Sequence, residues 1–361
     1  MKLFSCPSCN QVVYFQNVVC ERCGHALGYE PQSNRILALE PDGEYFVSVG
    51  RYTAPDHWKY CDNYRYGVCN WLIPAQSPEI LSLASKFNRI VPNLSVPENM
   101  APWQKLEFAK QRLIYTLLRL RLPLYAWSDG PEGLAFDFLQ DDMVEDEPVM
   151  TGHNSGLITI ALAEADDAER ESRRAAMGEP YRTLLGHFRH EIGHWYWDRL
   201  VRDKDLLSQC RAVFGDDTLD YGEALQNHYA NGPDMDWQDH FVSSYAGAHP
   251  WEDFAESFAH YLHIVDTLET GGAWGMTLSP HLDREKLLTT ELNFNVFAES
   301  TTIDQILEAW LALSAALNTF NRSMGLQDLY PFVLSPVVIG KLGFIHDLVH
   351  GRVGNQNQIA N

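Results

Sequence analysis

The sequence is short of positive charge: 27 Lys and Arg stand against 48 Asp and Glu in 361 residues, a formal net charge of −21. A surface of that sign repels phosphate backbones and anionic headgroups, so neither nucleic acid nor a membrane is expected as a partner. Long apolar runs are also missing. None reaches the ~18 residues of a membrane-spanning helix, and the opening MKLFSCPSCN has no apolar signal core. Cysteine is scarce where disulfides would need it: four of the seven fall in C-x-x-C pairs, and none lies between Cys69 and Cys210. That pattern reads as metal ligation in a reducing compartment, and the expected location is cytoplasmic. The length allows a full core and more than one domain.

What is present begins with Cys6-x-x-Cys9 and Cys20-x-x-Cys23. Each pair makes a tight knuckle, with Asn10 and Gly24 where the turn needs left-handed backbone. Four thiolates close a tetrahedral zinc site and leave no position for substrate, so a rubredoxin-like zinc ribbon with a structural ion is expected. Lys2 and Arg22 are offset by Glu21 and Glu30, which favours a structural or protein-docking ribbon over a nucleic-acid finger. Strands at Ile36–Leu39 and Tyr45–Val49, joined by Pro41-Asp42-Gly43, are expected to complete the ribbon's sheet. Cys61 and Cys69 have no further cysteine nearby to close a site and read as buried structural thiols.

From Pro102 to Leu122 the apolar spacing is helical, interrupted by Lys110, and Pro123 ends it. Short strands are expected at Leu124–Trp127 and Leu134–Leu139, with a solvated acidic loop at Asp141–Glu147. Leu157–Leu162 is assigned as a sheet-edge strand on which a peptide backbone could pair, with an ordinary core strand as the alternative. The charged run Glu164–Arg174 reads as an exposed helix or linker.

The chain is organised around His190-Glu191-Ile192-Gly193-His194. Residues four apart share one helix face, so His190 and His194 can present ring nitrogens to one ion, with Glu191 beside its water as general base. Pro180 suits the first turn, and Arg199 and Arg202 load the last. Gly193 costs about 1 kcal/mol in a helix interior, which implies close approach of another element. Chance spacing of two histidines is the alternative.

A catalytic zinc needs a third protein ligand and one open position. Downstream, Pro250 suits a helix start, and Glu252, Glu256, His260 and His263 form one polar stripe flanked by Ala255 and Ala259. Glu252, Glu256, Asp253 and His249 are all candidates for the third ligand. A polar stripe on an otherwise apolar helix is costly to bury without charge compensation, which a metal ion and its histidines would supply.

The pattern H-E-x-x-H followed by Y-x6-E-x-F-A-E resembles the lethal-factor-type gluzincin metalloproteases. That resemblance implies that Glu252 binds zinc, that Glu256 orients a ligand, and that Tyr245 stabilises the transition state. The whole chain is similar to a bacterial family of zinc-binding metallopeptidases with an N-terminal zinc ribbon. That family carries another C-x-x-C where this chain has Ser82 and Ser85, which puts a second structural zinc at Cys61 and Cys69 in question. The expected fold class is α+β: the ribbon, then a zincin-like (gluzincin) peptidase domain with a largely helical C-terminal part. The expected parts are a ribbon with hairpin at 1–50, an aromatic and cysteine-bearing connector at 51–100, and a peptidase domain at 101–300. A helical extension at 301–350, with a helix at Ile303–Leu317 and a docking or partner-binding element at Pro331–Leu348, and a polar, disordered tail at 351–361 complete it. The expected function is zinc-dependent hydrolysis of a peptide or protein substrate, with one catalytic and one structural Zn2+. The alternatives are a non-catalytic ribbon adaptor on the same scaffold and a zinc amidase with a non-peptide substrate.

Overall fold

The structure is a computed structural model, and it describes residues 2–51, 57–140, 149, 151–177 and 183–354. The acidic loop Asp141–Glu147, Pro180 and the tail residues 355–361 lie outside them. The chain divides into two compact units, Met1–Arg170 and Glu171–Asn361.

The first unit begins with a short antiparallel pair, β1 (Phe4–Ser5) and β2 (Val12–Val13), which carries the first cysteine knuckle. An antiparallel meander follows: β3 (Ala26–Glu30), β4 (Arg35–Asp42), β5 (Tyr45–Val49), β6 (His57–Tyr60) and β7 (Leu72–Pro74). The two strands expected at 36–49 are thus central members of a five-stranded sheet separate from the β1–β2 pair. The sheet buries Leu37, Leu39 and Leu72. Gly28 is required there, because a Cβ would fall 2.4 Å from the Leu72 side chain.

Next come β8 (Asn88–Ile90), α1 (Met100–Arg119), β9 (Ala135–Leu139), β10 (Gly152–Asn154) and β11 (Leu157–Ala161). Long apolar side chains on α1 are matched by a buried ion pair: Lys110, which breaks the apolar face in sequence, meets Glu107 at 2.9 Å, and both are fully buried. The expected strand at Leu124–Trp127 reduces to a single bridge, Ala126 to Leu134. The sheet order is β10-β11-β9-β8. This corrects the assignment of Leu157–Leu162 as an edge: β11 pairs antiparallel with β10 and parallel with β9, so both of its edges are already used. Periodicity reveals a strand but not its neighbours. The run Glu164–Arg174 starts in a 3-10 turn (Leu162–Ala165), where Glu164 is buried rather than exposed, and continues from Asp167 as α2 (Asp167–Met177).

The second unit is helical: α3 (Leu184–Tyr196), α4 (Leu207–Phe214), α5 (Tyr221–Asn231), α6 (Trp237–His240) and α7 (Pro250–Ala273). The minor pair β12 (Thr277–Leu278) and β13 (Thr290–Glu291) precedes α8 (Ile303–Ser323) and α9 (Pro336–Val349). Helix α7 is buried along most of its length and packs on α3, α4, α8 and α9. Among the described residues no helix is long and apolar enough to cross a membrane.

Candidate metal centre

Helix α3 starts one residue after Thr183, whose hydroxyl accepts a hydrogen bond from the Gly186 N–H at 3.0 Å. A π-helical turn at Trp197–Val201 and a 3-10 turn at Arg202–Lys204 extend it, so Arg199 and Arg202 lie past the regular helix. Gly193 faces α7, where a Cβ would lie 2.9 Å from the Ala255 Cα. The missing side chain lets the two helix backbones approach closely enough for histidines from one to meet carboxylates from the other.

Helix α7 starts at Pro250, with His249 as its cap: the ring Nδ1 accepts from the Trp251 N–H at 3.0 Å. The His249 Nε2 lies 3.2 Å from the Leu219 carbonyl. Asp253, fully buried, pairs with Lys341 at 2.6 Å. Both alternatives for the third ligand are therefore occupied elsewhere.

Three atoms converge between the helices. His190 Nε2 lies 3.2 Å from His194 Nε2 and 3.0 Å from Glu252 Oε2, and His194 Nε2 lies 3.5 Å from the same oxygen. Zinc with ligands at about 2.0–2.1 Å sets their atoms about 3.3–3.4 Å apart in a tetrahedron, close to this triangle. The hydrogen bonding fits a cation as well. His190 Nδ1 donates to Glu256 Oε1 at 2.8 Å, which leaves Nε2 of a neutral ring with a lone pair facing the Glu252 oxygen. That oxygen is buried and accepts no hydrogen bond among the described residues.

The same demand for positive charge appears in the titration behaviour. Burial would lower the His190 pKa, but Glu252 and Glu256 outweigh it and raise it well above the usual value. Burial would raise Glu252, but His194 and His190 draw it far below the carboxylate range. Glu256, pushed up by burial and pulled down more strongly by His190, sits at about 2.

Glu256 also ties the neighbouring turn. Its Oε2 accepts from the Ser243 hydroxyl at 2.6 Å, and Ser243 Oγ accepts from the Ala246 N–H at 3.1 Å. That fixes the 3-10 turn Tyr245–Ala248, and the Tyr245 ring lies 5.8 Å from the His190 ring. Burial, then the Glu252 charge, raises the Tyr245 phenol far above its ordinary value, so it remains a donor. Glu191 is buried in the same region, close enough to act electrostatically on Tyr245 and Tyr221.

The polar stripe of α7 divides. His260 and His263 turn away from the triangle: His260 Nδ1 meets the Tyr330 hydroxyl at 2.7 Å, and Arg189 donates to His263 Nδ1 at 3.1 Å while pairing with Asp266. Three participants left no signal in spacing or composition. Ser243 holds Glu256, Trp251 lies over His194 with ring centroids 3.8 Å apart, and the Tyr221 hydroxyl donates to Glu252 Oε1 at 2.7 Å.

At the other end of the chain, Cys6, Cys9, Cys20 and Cys23 bring their sulfurs together, with Cys6–Cys23 and Cys9–Cys20 both at 3.6 Å. Tetrahedral zinc at about 2.3 Å from each sulfur requires about 3.8 Å between sulfurs. Asn10 and Gly24 adopt the left-handed backbone of the two knuckles, with φ of 64° and 78°. The His25 N–H, against the opposing effect of burial, lowers the Cys23 thiol to about 6, and the His25 ring adds to this at 3.2 Å.

Cys61 and Cys69 are buried, as are Ser82 and Ser85. Cys61 Sγ lies 3.3 Å from Ser85 Oγ, Cys69 Sγ 3.5 Å from Ser82 Oγ, and the two hydroxyls are 3.1 Å apart. The four groups satisfy one another by hydrogen bonding.

A family model described as "Putative zinc-binding metallo-peptidase" matches residues 99–348, and a model described as a zinc-ribbon domain matches residues 3–96. Similar curated proteins, described as uncharacterized, come from Mycobacterium bovis and two strains of Mycobacterium tuberculosis. Each is 42% identical over 352 residues, covering 97% of this chain and 95% of the relative. No solved structure matches.

Proposed function

We propose that this chain, which belongs to the family of putative zinc-binding metallo-peptidases, hydrolyses peptide bonds at a zinc ion held by His190, His194 and Glu252. The observation that carries the reading is the triangle of His190 Nε2, His194 Nε2 and Glu252 Oε2, 3.0–3.5 Å on each side, with Glu191 and Tyr245 next to it. Two histidines from one helix and a glutamate from a second is a gluzincin-type ligand set.

Zinc, when bound, supplies a Lewis acid that lowers the pKa of water and polarises the scissile carbonyl. Glu191 accepts the proton of the attacking water and delivers it to the leaving amine. Tyr245, held as a neutral phenol, donates a hydrogen bond to the developing oxyanion. Glu256 holds the Nδ1 proton of His190, which fixes the tautomer that offers Nε2 to the metal.

The four ribbon cysteines hold a second, structural zinc. Val12, Tyr14, Val18 and Val19 are exposed beside them, which supports a ribbon that docks on a protein. None of the seven cysteines is in a disulfide, which supports a reducing, cytoplasmic setting.

The test is product analysis by mass spectrometry after a peptide library is incubated with wild type and with Glu191→Gln. Cleavage by wild type alone supports the reading. Equal cleavage by a zinc-replete Glu191→Gln protein removes it, and cleavage of amides other than peptides redirects it to an amidase.

A further inference from the structure

We propose that Tyr221 is a positioning residue for the metal site: its single hydroxyl proton restricts Glu252 to one-oxygen ligation. This rests on the metal-site reading above and goes beyond the ligand set. The hydroxyl donates to Glu252 Oε1 at 2.7 Å, and the other carboxylate oxygen, Oε2, is the one in the ligand triangle. A phenol has one proton.

The consequence concerns the open coordination position. Without the Tyr221 proton, Glu252 Oε1 can turn to the ion, and a two-oxygen carboxylate fills the place a water needs. The ring contributes too. It stands edge-on to His249 and Trp251, at centroid distances of 5.4 and 5.6 Å, and Trp251 in turn covers His194.

Nothing in the general packing requires this tyrosine. Helix α5, which it opens, contains no buried residue, and left-handed Gly215 and Gly232 bracket the segment. Tyr221 itself is 38% exposed. Removing its hydroxyl therefore reports on the site rather than on the core.

The experiment compares wild type, Tyr221→Phe and Tyr245→Phe after brief chelation and reloading of the labile ion with Co2+, the folded state being checked by circular dichroism. Tyr221→Phe should bind zinc ~10–100-fold more weakly in chelator competition, the range typical of groups that orient ligands. Its cobalt absorption should weaken toward a five-coordinate spectrum, and kcat should fall. Tyr245→Phe should keep the wild-type zinc affinity and cobalt spectrum and lose kcat alone. Wild-type zinc affinity and an unaltered cobalt spectrum in Tyr221→Phe would overturn the proposal by itself. A wild-type protein that takes up no labile ion would instead overturn the metal-site reading, and this proposal with it.

Discussion

Gly193 on α3 meets Ala255 on α7 backbone to backbone: a Cβ at Gly193 would lie 2.9 Å from the Ala255 Cα and 3.1 Å from its carbonyl oxygen. Gly193→Ala would gain ~1 kcal/mol of helix propensity. Overpacking against backbone that cannot rotate aside costs ~1–3 kcal/mol, so the balance is a net loss. The variant should melt at lower temperature and hold zinc more weakly, because separating the helices draws His190 and His194 from Glu252. Ala255→Gly should not rescue it, since the nearest contacts are to backbone. Thermal melting and chelator competition on the single and double variants check both points.

Glu252 and Glu256, one turn apart, separate by what they touch. Glu252→Gln should abolish tight zinc binding at this site, whereas Glu256→Gln should weaken it by ~10–100-fold, as expected for a residue that orients a ligand imidazole. Zinc titration of both variants decides it. The reverse order would exchange their roles.

Two zinc ions per chain are expected, and a chelator should remove the one at the His190 site first, because an open site admits water and a four-thiolate site does not. Elemental analysis should give one zinc for His190→Ala. Two retained ions would place the second ion elsewhere.

The cluster of Cys61, Cys69, Ser82 and Ser85 should hold no metal in the wild type. Its sulfur and oxygen atoms are nevertheless spaced at 3.1–3.8 Å, near the spacing of a tetrahedral site. The double variant Ser82→Cys with Ser85→Cys should therefore take up a third zinc ion, counted by elemental analysis. A third ion already present in the wild type would show that the hydroxyls suffice.

Tyr245→Phe should lower kcat by ~10²–10³-fold, the usual effect of deleting one oxyanion donor, with KM little changed. Steady-state kinetics on a cleaved peptide measure it. An unchanged kcat would assign that donor role to another group.

The sequence by itself determined the features that depend on local spacing. Cysteines three apart build a knuckle wherever the backbone can turn left-handed, so the Cys6–Cys23 cluster was legible with its Asn10 and Gly24. A helix places residues four apart on one face, so His190 and His194 were legible as a pair, and Gly193 signalled a close neighbour. Tertiary structure decided everything that depends on which element lies beside which. It made β11 an interior strand where an edge was expected, because alternation of side chains does not name a strand's partners. It placed Ser82 and Ser85 against Cys61 and Cys69, and it divided the α7 stripe, sending Glu252 and Glu256 to the histidines and His260 and His263 toward Tyr330 and Arg189. It also brought Tyr221 and Ser243 to carboxylates 31 and 13 residues away. Hydrogen bonds between elements form at contacts fixed by packing, and no local periodicity encodes them.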